Sequence, residues 1–419
     1  MKKDLVVVLL IFIITSVFWR GAFFNFFAQD DFILINHFSQ NNILVDFQNA
    51  IGYPAVTHWR PFHNLYFLIA GNLFGKNFAL YHLLTFLIHI AAGFFVFKIG
   101  QNLTKSNIAA GAAALFYTVH PAHFVSMFWI AGGATVIGFL FFVISFWSFV
   151  KGQKVLTLIF FICALAASEA MISGIVIFAF FLIANKQKRN WRPLLALVLA
   201  GLVFIFVKLV FTSPEAFEIY KIEISTKTLV ALQYYILRIL GFAEISGDKL
   251  TSLVLVILWA MVAVISSKSF LKNPKQLILP SVAAVAGFFP FILIPSHLSP
   301  HYMNLSIWGL SMVLALALKR LAPVSTALIL AVFLTVSFVN IDKTQENNWV
   351  VKRSNLAKGI LADIETKKLA DGSTIIFSDT PFTSSKETYI ALGQGRAIDF
   401  WFDKKNYKTC FTFLENCAR

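Results

Sequence analysis

The chain of 419 residues is 58% hydrophobic and 16% aromatic but only 13% charged, a composition that excludes an ordinary soluble globule and fits a polytopic membrane protein. Its formal net charge of +15 does not indicate nucleic-acid binding. The Lys and Arg residues fall between apolar runs instead of forming one basic patch, which is what the positive-inside bias produces.

Crossing the hydrocarbon core takes about 20 apolar residues. In chain order the candidates lie near 5–22, 79–99, 107–120, 123–149, 155–168, 169–185, 192–211, 250–267, 276–295, 301–318 and 323–340, an all-α body of about 11 transmembrane helices. Phe, Trp and Arg follow the first stretch where a small-residue cleavage site would stand, so it reads as a retained span. The stretches 107–120 and 155–168 are short. Keeping 155–168 and 169–185 as two spans with a turn at Ser168 and Glu169 puts Lys186, Lys188, Arg189 and Arg192 on the side that carries Lys2, Lys3, Lys98, Lys105, Lys151 and Lys154. That asymmetry predicts an integral, multi-pass protein with a cytoplasmic N-terminus.

Three segments then fall on the outer face: about 20–78, 212–249, and the tail from 341. In the first, "FHNLYFLIAGNLFG" at 62–75 is apolar but too short to span and reads as an interfacial helix. Composition changes after Asn340, which divides a membrane domain, 1–340, from a small extracytoplasmic α/β domain, 341–419. The latter combines a helix-like stretch around Trp349 to Lys368 with the alternating runs "STIIFSD" and "AIDFWFD". Cys163 sits inside an apolar run, while Cys410 and Cys417 can pair if the tail is extracytoplasmic.

Five polar marks fall at the outer ends of the spans: Asp30 with Asp31, His58 with Arg60, His120 with His123, Glu169, and His297 with His301. Ionisable groups at a bilayer are costly, so a one-sided cluster is a candidate functional site. Adjacent carboxylates such as Asp30 and Asp31 repel, which shifts one pKa toward general-base use, although capping of the following helix also explains them. Arg60 precedes Pro61, and its planar fork matches phosphoryl oxygens; interfacial snorkelling is its other reading. His82 and His89 are seven apart and share a helix face, with helix packing the simpler reading for His89. Pro121 breaks a hairpin and sets His120 and His123 at its tip, where they can meet an anion, a donor phosphate or a metal, though their spacing matches no zinc signature.

The order of "QDD", "WRPFHNLYFLIAGNLFGKNFALYHLLTFLIHI", "LFYTVHPAHFVSMFWIAGG", "SEA" and "HLSPHYMNLS" resembles the C-type (GT-C) glycosyltransferases, especially the branch of protein O-mannosyltransferase-like proteins that in animals carry tetratricopeptide repeats. The resemblance covers roughly residues 1–320, is most specific over 60–135, and lacks the repeat array. It implies a polytopic enzyme that takes a sugar from a polyprenyl-phosphate carrier and passes it to a protein, lipid or glycan acceptor on the outer face. The family's catalytic base maps to Asp30 or Asp31, with Asp30 favoured. Arg60, His58, His82, His120, His123, Glu169, His297 and His301 are the substrate-binding candidates. Two departures bear on the donor phosphate: no Lys precedes Glu169, and His301-Tyr302 stands where the family often has Arg-Tyr.

Chemically, the carrier phosphate is already a good leaving group, so the transfer needs one base for the acceptor hydroxyl and cations for the departing phosphate. A single base implies inversion at the sugar. The sequence assigns no certain cofactor; "DD" with histidines permits a divalent cation without demanding one. The rival readings are a transporter or flippase for lipid-linked saccharides, against which no inverted repeat is visible, and an inactive GT-C-like scaffold. A prokaryotic cell membrane is the expected location.

Overall fold

A computed structural model describes residues 2–39, 42–52, 59–184, 191–211, 220–244, 249–272, 274–403, 405–415 and 417. All eleven apolar stretches contain helices. Seven helices are long and apolar enough to cross a membrane: Phe78–Thr104, Ala131–Val150, Arg192–Val210, Lys249–Ser267, Lys275–Ile292, Pro300–Leu318 and Pro323–Asn347. An eighth arises if Asn107–Thr118 and Pro121–Phe128, bent by 41° to one another, form one broken span. Among the described residues this count is below eleven because Asp4–Phe18, Lys154–Ala167 and Glu169–Ala184 are shorter. The last two come from one apolar run that Ser168 interrupts by turning extended, at φ −155° and ψ 120°.

Small residues let the helices approach closely. A side chain at Gly309 would collide with the backbone of Ala283 and Ala284, and one at Gly100 would press on Ala110, the packing expected where dispersion rather than hydrophobicity drives helix association. At one end of the bundle Asp4 is tied to Lys98 at 2.8 Å and to Gln101 at 3.0 Å. At the other end the chain turns irregular: Arg20–Phe24, Pro121–His123, Ala131–Gly133, Glu169–Ser173 and Pro300–Met303 are all 3-10 turns. Irregular backbone near a membrane needs protein or water around it, so this end is where a polar cavity is affordable.

The segment 62–75 forms the helix Pro61–Phe74, with proline at its first turn. It packs with Asp30–Phe38 and Ile43–Gly52 over the cavity end of the bundle. The helix Pro323–Asn347 runs past residue 340 and leads into Trp349–Lys367, capped by Asn348. Beyond it, Thr374–Phe377 pairs in parallel with Lys408–Phe411. The strand expected at "AIDFWFD" is instead largely the short helix Arg396–Trp401, which buries Ala397, Ile398 and Phe400; a run this short does not separate period 2 from period 3.6. Cys410 and Cys417 form a disulfide, with Cα atoms 5.8 Å apart.

The C-terminal segment and the first loop share one hydrophobic core. Phe26, Phe27 and Phe32 meet Leu361, Ile398, Phe400 and Phe411 there, with Phe27 and Phe400 ring to ring at 5.8 Å. Polar ties reinforce the contact: Asn36 Nδ2 donates to the Arg396 carbonyl at 2.6 Å, and Lys76 Nζ to the Trp401 carbonyl at 2.8 Å.

Candidate active site

A cavity of about 490 Å³ opens at the irregular end of the bundle. Its walls come from distant parts of the chain: Asp30 and Arg60, then Tyr220 and Glu244, then His297, His301 and Tyr302, and finally Trp349 and Arg353.

The acidic pair divides. Asp31 is 1% exposed and uses both carboxyl oxygens on backbone donors, accepting from Ala28 N–H at 3.0 Å and from Ala131 N–H at 2.7 Å. It pins the first loop to the Ala131–Gly133 turn, and burial raises its pKa to about 8. Asp30 is partly exposed and lines the cavity. Burial raises its pKa to about 6, against the opposing pull of a Gln29 hydrogen bond and of the Arg60 and Arg353 charges. A carboxyl so tuned is ionised at neutral pH yet close to the pH at which it accepts a proton.

Arg60, kept out of the helical region at φ −138° and ψ 71° ahead of Pro61, forms a fork on Glu169: Nε to Oε2 at 2.8 Å and Nη2 to Oε1 at 2.6 Å. Lys208, near the end of Arg192–Phe211, reaches the same carboxylate at 2.9 Å. Two cations around one carboxylate leave a net positive charge beside the cavity, the electrostatics an anionic leaving group requires. His63 lies on the same wall, and burial together with the Arg60 charge lowers its pKa to about 3, so the ring is neutral. His297 Nε2 lies 3.0 Å from the Tyr302 hydroxyl and 3.3 Å from that of Tyr220. Burial lowers the pKa of His297, with Arg60 adding to the effect. His301 hydrogen-bonds Ser299 through Nδ1.

Of the residues anticipated from sequence, Asp30, Arg60, His297 and His301 line this cavity, and Glu169 braces it through Arg60. His58 lies outside the described residues. His82, His120 and His123 are not brought to the cavity. The ring nitrogens of His82 bridge the Met127 and Asn25 carbonyls, both at 3.0 Å. His120 Nε2 lies 3.0 Å from the Ile239 carbonyl, while its Nδ1 accepts from Ala122 N–H. His123 packs edge-on against His89 and Tyr117. All three are almost fully buried and brace the hairpin break. Sequence reasoning missed Gln29, His63, Lys208, Tyr220, Glu244, Trp129, Trp349, Arg353 and Gln394. The signal that could have found Lys208 is a charge inside the apolar run 192–211. Among the described residues no group of three or more His, Cys, Asp or Glu side chains comes together as a metal site.

No family model matches the chain. An alignment of 126 residues, 28% of the chain, is 25% identical to Protein O-mannosyl-transferase Tmtc1 of Drosophila melanogaster and spans 15% of that protein. The fold is similar to that of ArnT from Cupriavidus metallidurans bound to undecaprenyl phosphate. That likeness has a TM-score of 0.57 at 12% identity, over 97% of this chain and 90% of that one. Against ArnT in the apo state the TM-score is 0.52 at 14% identity, over 92% and 84% of the two chains. The chain therefore has an ArnT-like fold.

Proposed function

We propose that this protein is a membrane glycosyltransferase that moves a hexose, mannose or a similar sugar, from a polyprenyl-phosphate carrier to an acceptor hydroxyl, with inversion and with Asp30 as the general base. The observation that carries the reading is the placement of Asp30 in one cavity with Arg60, which is backed by Glu169 and Lys208. The Asp30 carboxylate takes the acceptor O–H proton as that oxygen attacks the anomeric carbon. The bond from that carbon to the phosphate oxygen breaks, and the phosphate leaves with the electron pair toward Arg60 and Lys208. Tyr302, His297 and Tyr220 border the same space and are suited to hydrogen-bond the sugar hydroxyls.

In this reading the N-terminus is cytoplasmic, the cavity opens outside, and the short helices complete about eleven crossings. Residues 341–419 form an extracytoplasmic unit docked on the first outer loop. The acceptor is a hydroxyl of a protein, lipid or glycan.

The test is transfer from a panel of radiolabelled polyprenyl-phosphate sugars by the full chain in proteoliposomes. Label leaving the lipid fraction for a water-soluble or acceptor-bound product supports the reading. Label that crosses the bilayer still attached to its lipid supports a transporter instead.

A further inference from the structure

Gln29, the residue before Asp30, sits at φ 55° and ψ −118°, a region L-residues rarely occupy and that is costly without a Gly. Such a conformation persists only when its surroundings hold it, and here the C-terminal segment does so from three directions. Gln29 N–H donates to the Ala391 carbonyl at 3.0 Å. Gly393, itself at φ 57°, packs so close that a side chain there would meet the Gln29 carbonyl oxygen. Arg353 Nη1 donates to Gln29 Oε1 at 2.7 Å.

Arg353 is in turn held by Glu387, Nε to Oε1 at 2.7 Å and Nη2 to Oε2 at 3.3 Å, while its guanidinium lies 5.0 Å over the Trp349 ring. Asp30 follows Gln29 directly and opens the helix Asp30–Phe38, so the backbone of Gln29 sets the direction in which that helix starts. A continuous line of contacts thus runs from Glu387 through Arg353 to Gln29, the residue before Asp30. The contacts of Asp31 fix the loop from behind but do not reach the left-handed residue.

We propose that the C-terminal segment is a clamp for the active site: Arg353, locked by Glu387, is a positioning residue that holds Gln29 in its left-handed conformation and so aims Asp30 into the cavity. The clamp deepens the glycosyltransferase reading but is measurable without turnover. It makes an unusual demand, since glycine at position 29 adopts this backbone unaided and should relieve the need for Arg353.

The experiment compares the full chain, Arg353→Ala, Gln29→Gly and the double variant in reconstituted membranes. Hydrogen exchange is followed at the amides of Gln29, Asp31 and Phe32, whose acceptors are the carbonyls of Ala391, Ala28 and Gln29. Arg353→Ala should speed their exchange and lower the transfer kcat by about tenfold, within the range that such backbone strain commands, with little change in donor KM. Glu387→Gln should do the same more weakly. Adding Gln29→Gly should restore both protection and most of the rate, which neither a donor-binding role for Arg353 nor general unfolding of the C-terminal segment would allow. Unchanged exchange in Arg353→Ala, or no rescue by glycine, overturns the clamp. If exchange follows the prediction while the unmodified protein turns over no donor, the clamp stands and the glycosyltransferase reading falls.

Discussion

Replacing Glu169 with Gln isolates the electrostatics of the cavity wall. The side chains of Arg60 and Lys208 are each 18% exposed and that of Glu169 27%, between the exposed pairs that contribute about 0–1 kcal/mol and the buried ones whose breakage costs about 3–5 kcal/mol. Gln keeps the shape but removes the charge, leaving two cations facing each other across a neutral amide that can offer only one acceptor. The expected loss is about 3 kcal/mol of stability. Much of it belongs to the bidentate Arg60 contact, so Arg60→Gln combined with Glu169→Gln should be less damaging than the sum of the two alone, with a coupling of about 2 kcal/mol. Reversible unfolding in mixed detergent micelles, run as a four-member cycle, measures this. A Glu169→Gln variant within about 0.5 kcal/mol of the unmodified protein, or strict additivity in the cycle, would refute the reasoning.

The other predictions concern the acidic pair. Asp31→Asn sets an amide NH₂ against the N–H of Ala28 or Ala131, and should cost about 1–3 kcal/mol in the same unfolding assay. Burial raises the Asp31 pKa from 3.8 to about 8, so between these values the folded state holds a proton that the unfolded chain releases. Its contribution to stability is therefore greatest at the acid end and falls as pH rises toward 8. The gap between the unmodified protein and Asp31→Asn should accordingly narrow from pH 5 to pH 8, and a widening gap would contradict the burial argument. For transfer, burial sets the Asp30 pKa at about 6, so kcat/KM should rise with pH through that value as the carboxyl loses its proton. A rate that falls across this window would count against Asp30 as the base.

Much of the site was legible because a polar group in so apolar a chain demands a reason. Asp30, Arg60, Glu169, His297 and His301 stood out on that ground and do gather at one cavity. His82, His120 and His123 stood out on the same ground but do not line that cavity; a broken helix in a membrane bundle must also satisfy its freed backbone groups. The carbonyls of Met127, Asn25 and Ile239 are what His82 and His120 face. Sequence alone does not separate a histidine serving backbone from one serving substrate. Asp30 and Asp31 are adjacent in the chain, but as the first two residues of one helix they point about 100° apart, Asp30 to the cavity and Asp31 to the Ala131 N–H behind it. Trp349, Arg353 and Gln394 were invisible for a different reason. They belong to a segment with no local motif, and they acquire a site only when Phe400 and its neighbours dock on the first loop. Of the two expected strands, "STIIFSD" was found at Thr374–Phe377, but the second strand lies at Lys408–Phe411, where alternation is weaker.

The most direct test of the account is sugar transfer by the unmodified protein, Asp30→Asn and Asp31→Asn, each reconstituted and each normalised to its folded fraction. The account predicts that Asp30→Asn folds normally and is inactive, whereas Asp31→Asn is less stable but transfers sugar at close to the normal rate per folded molecule. Full activity in Asp30→Asn, or a folded but inactive Asp31→Asn beside an active Asp30→Asn, would contradict it.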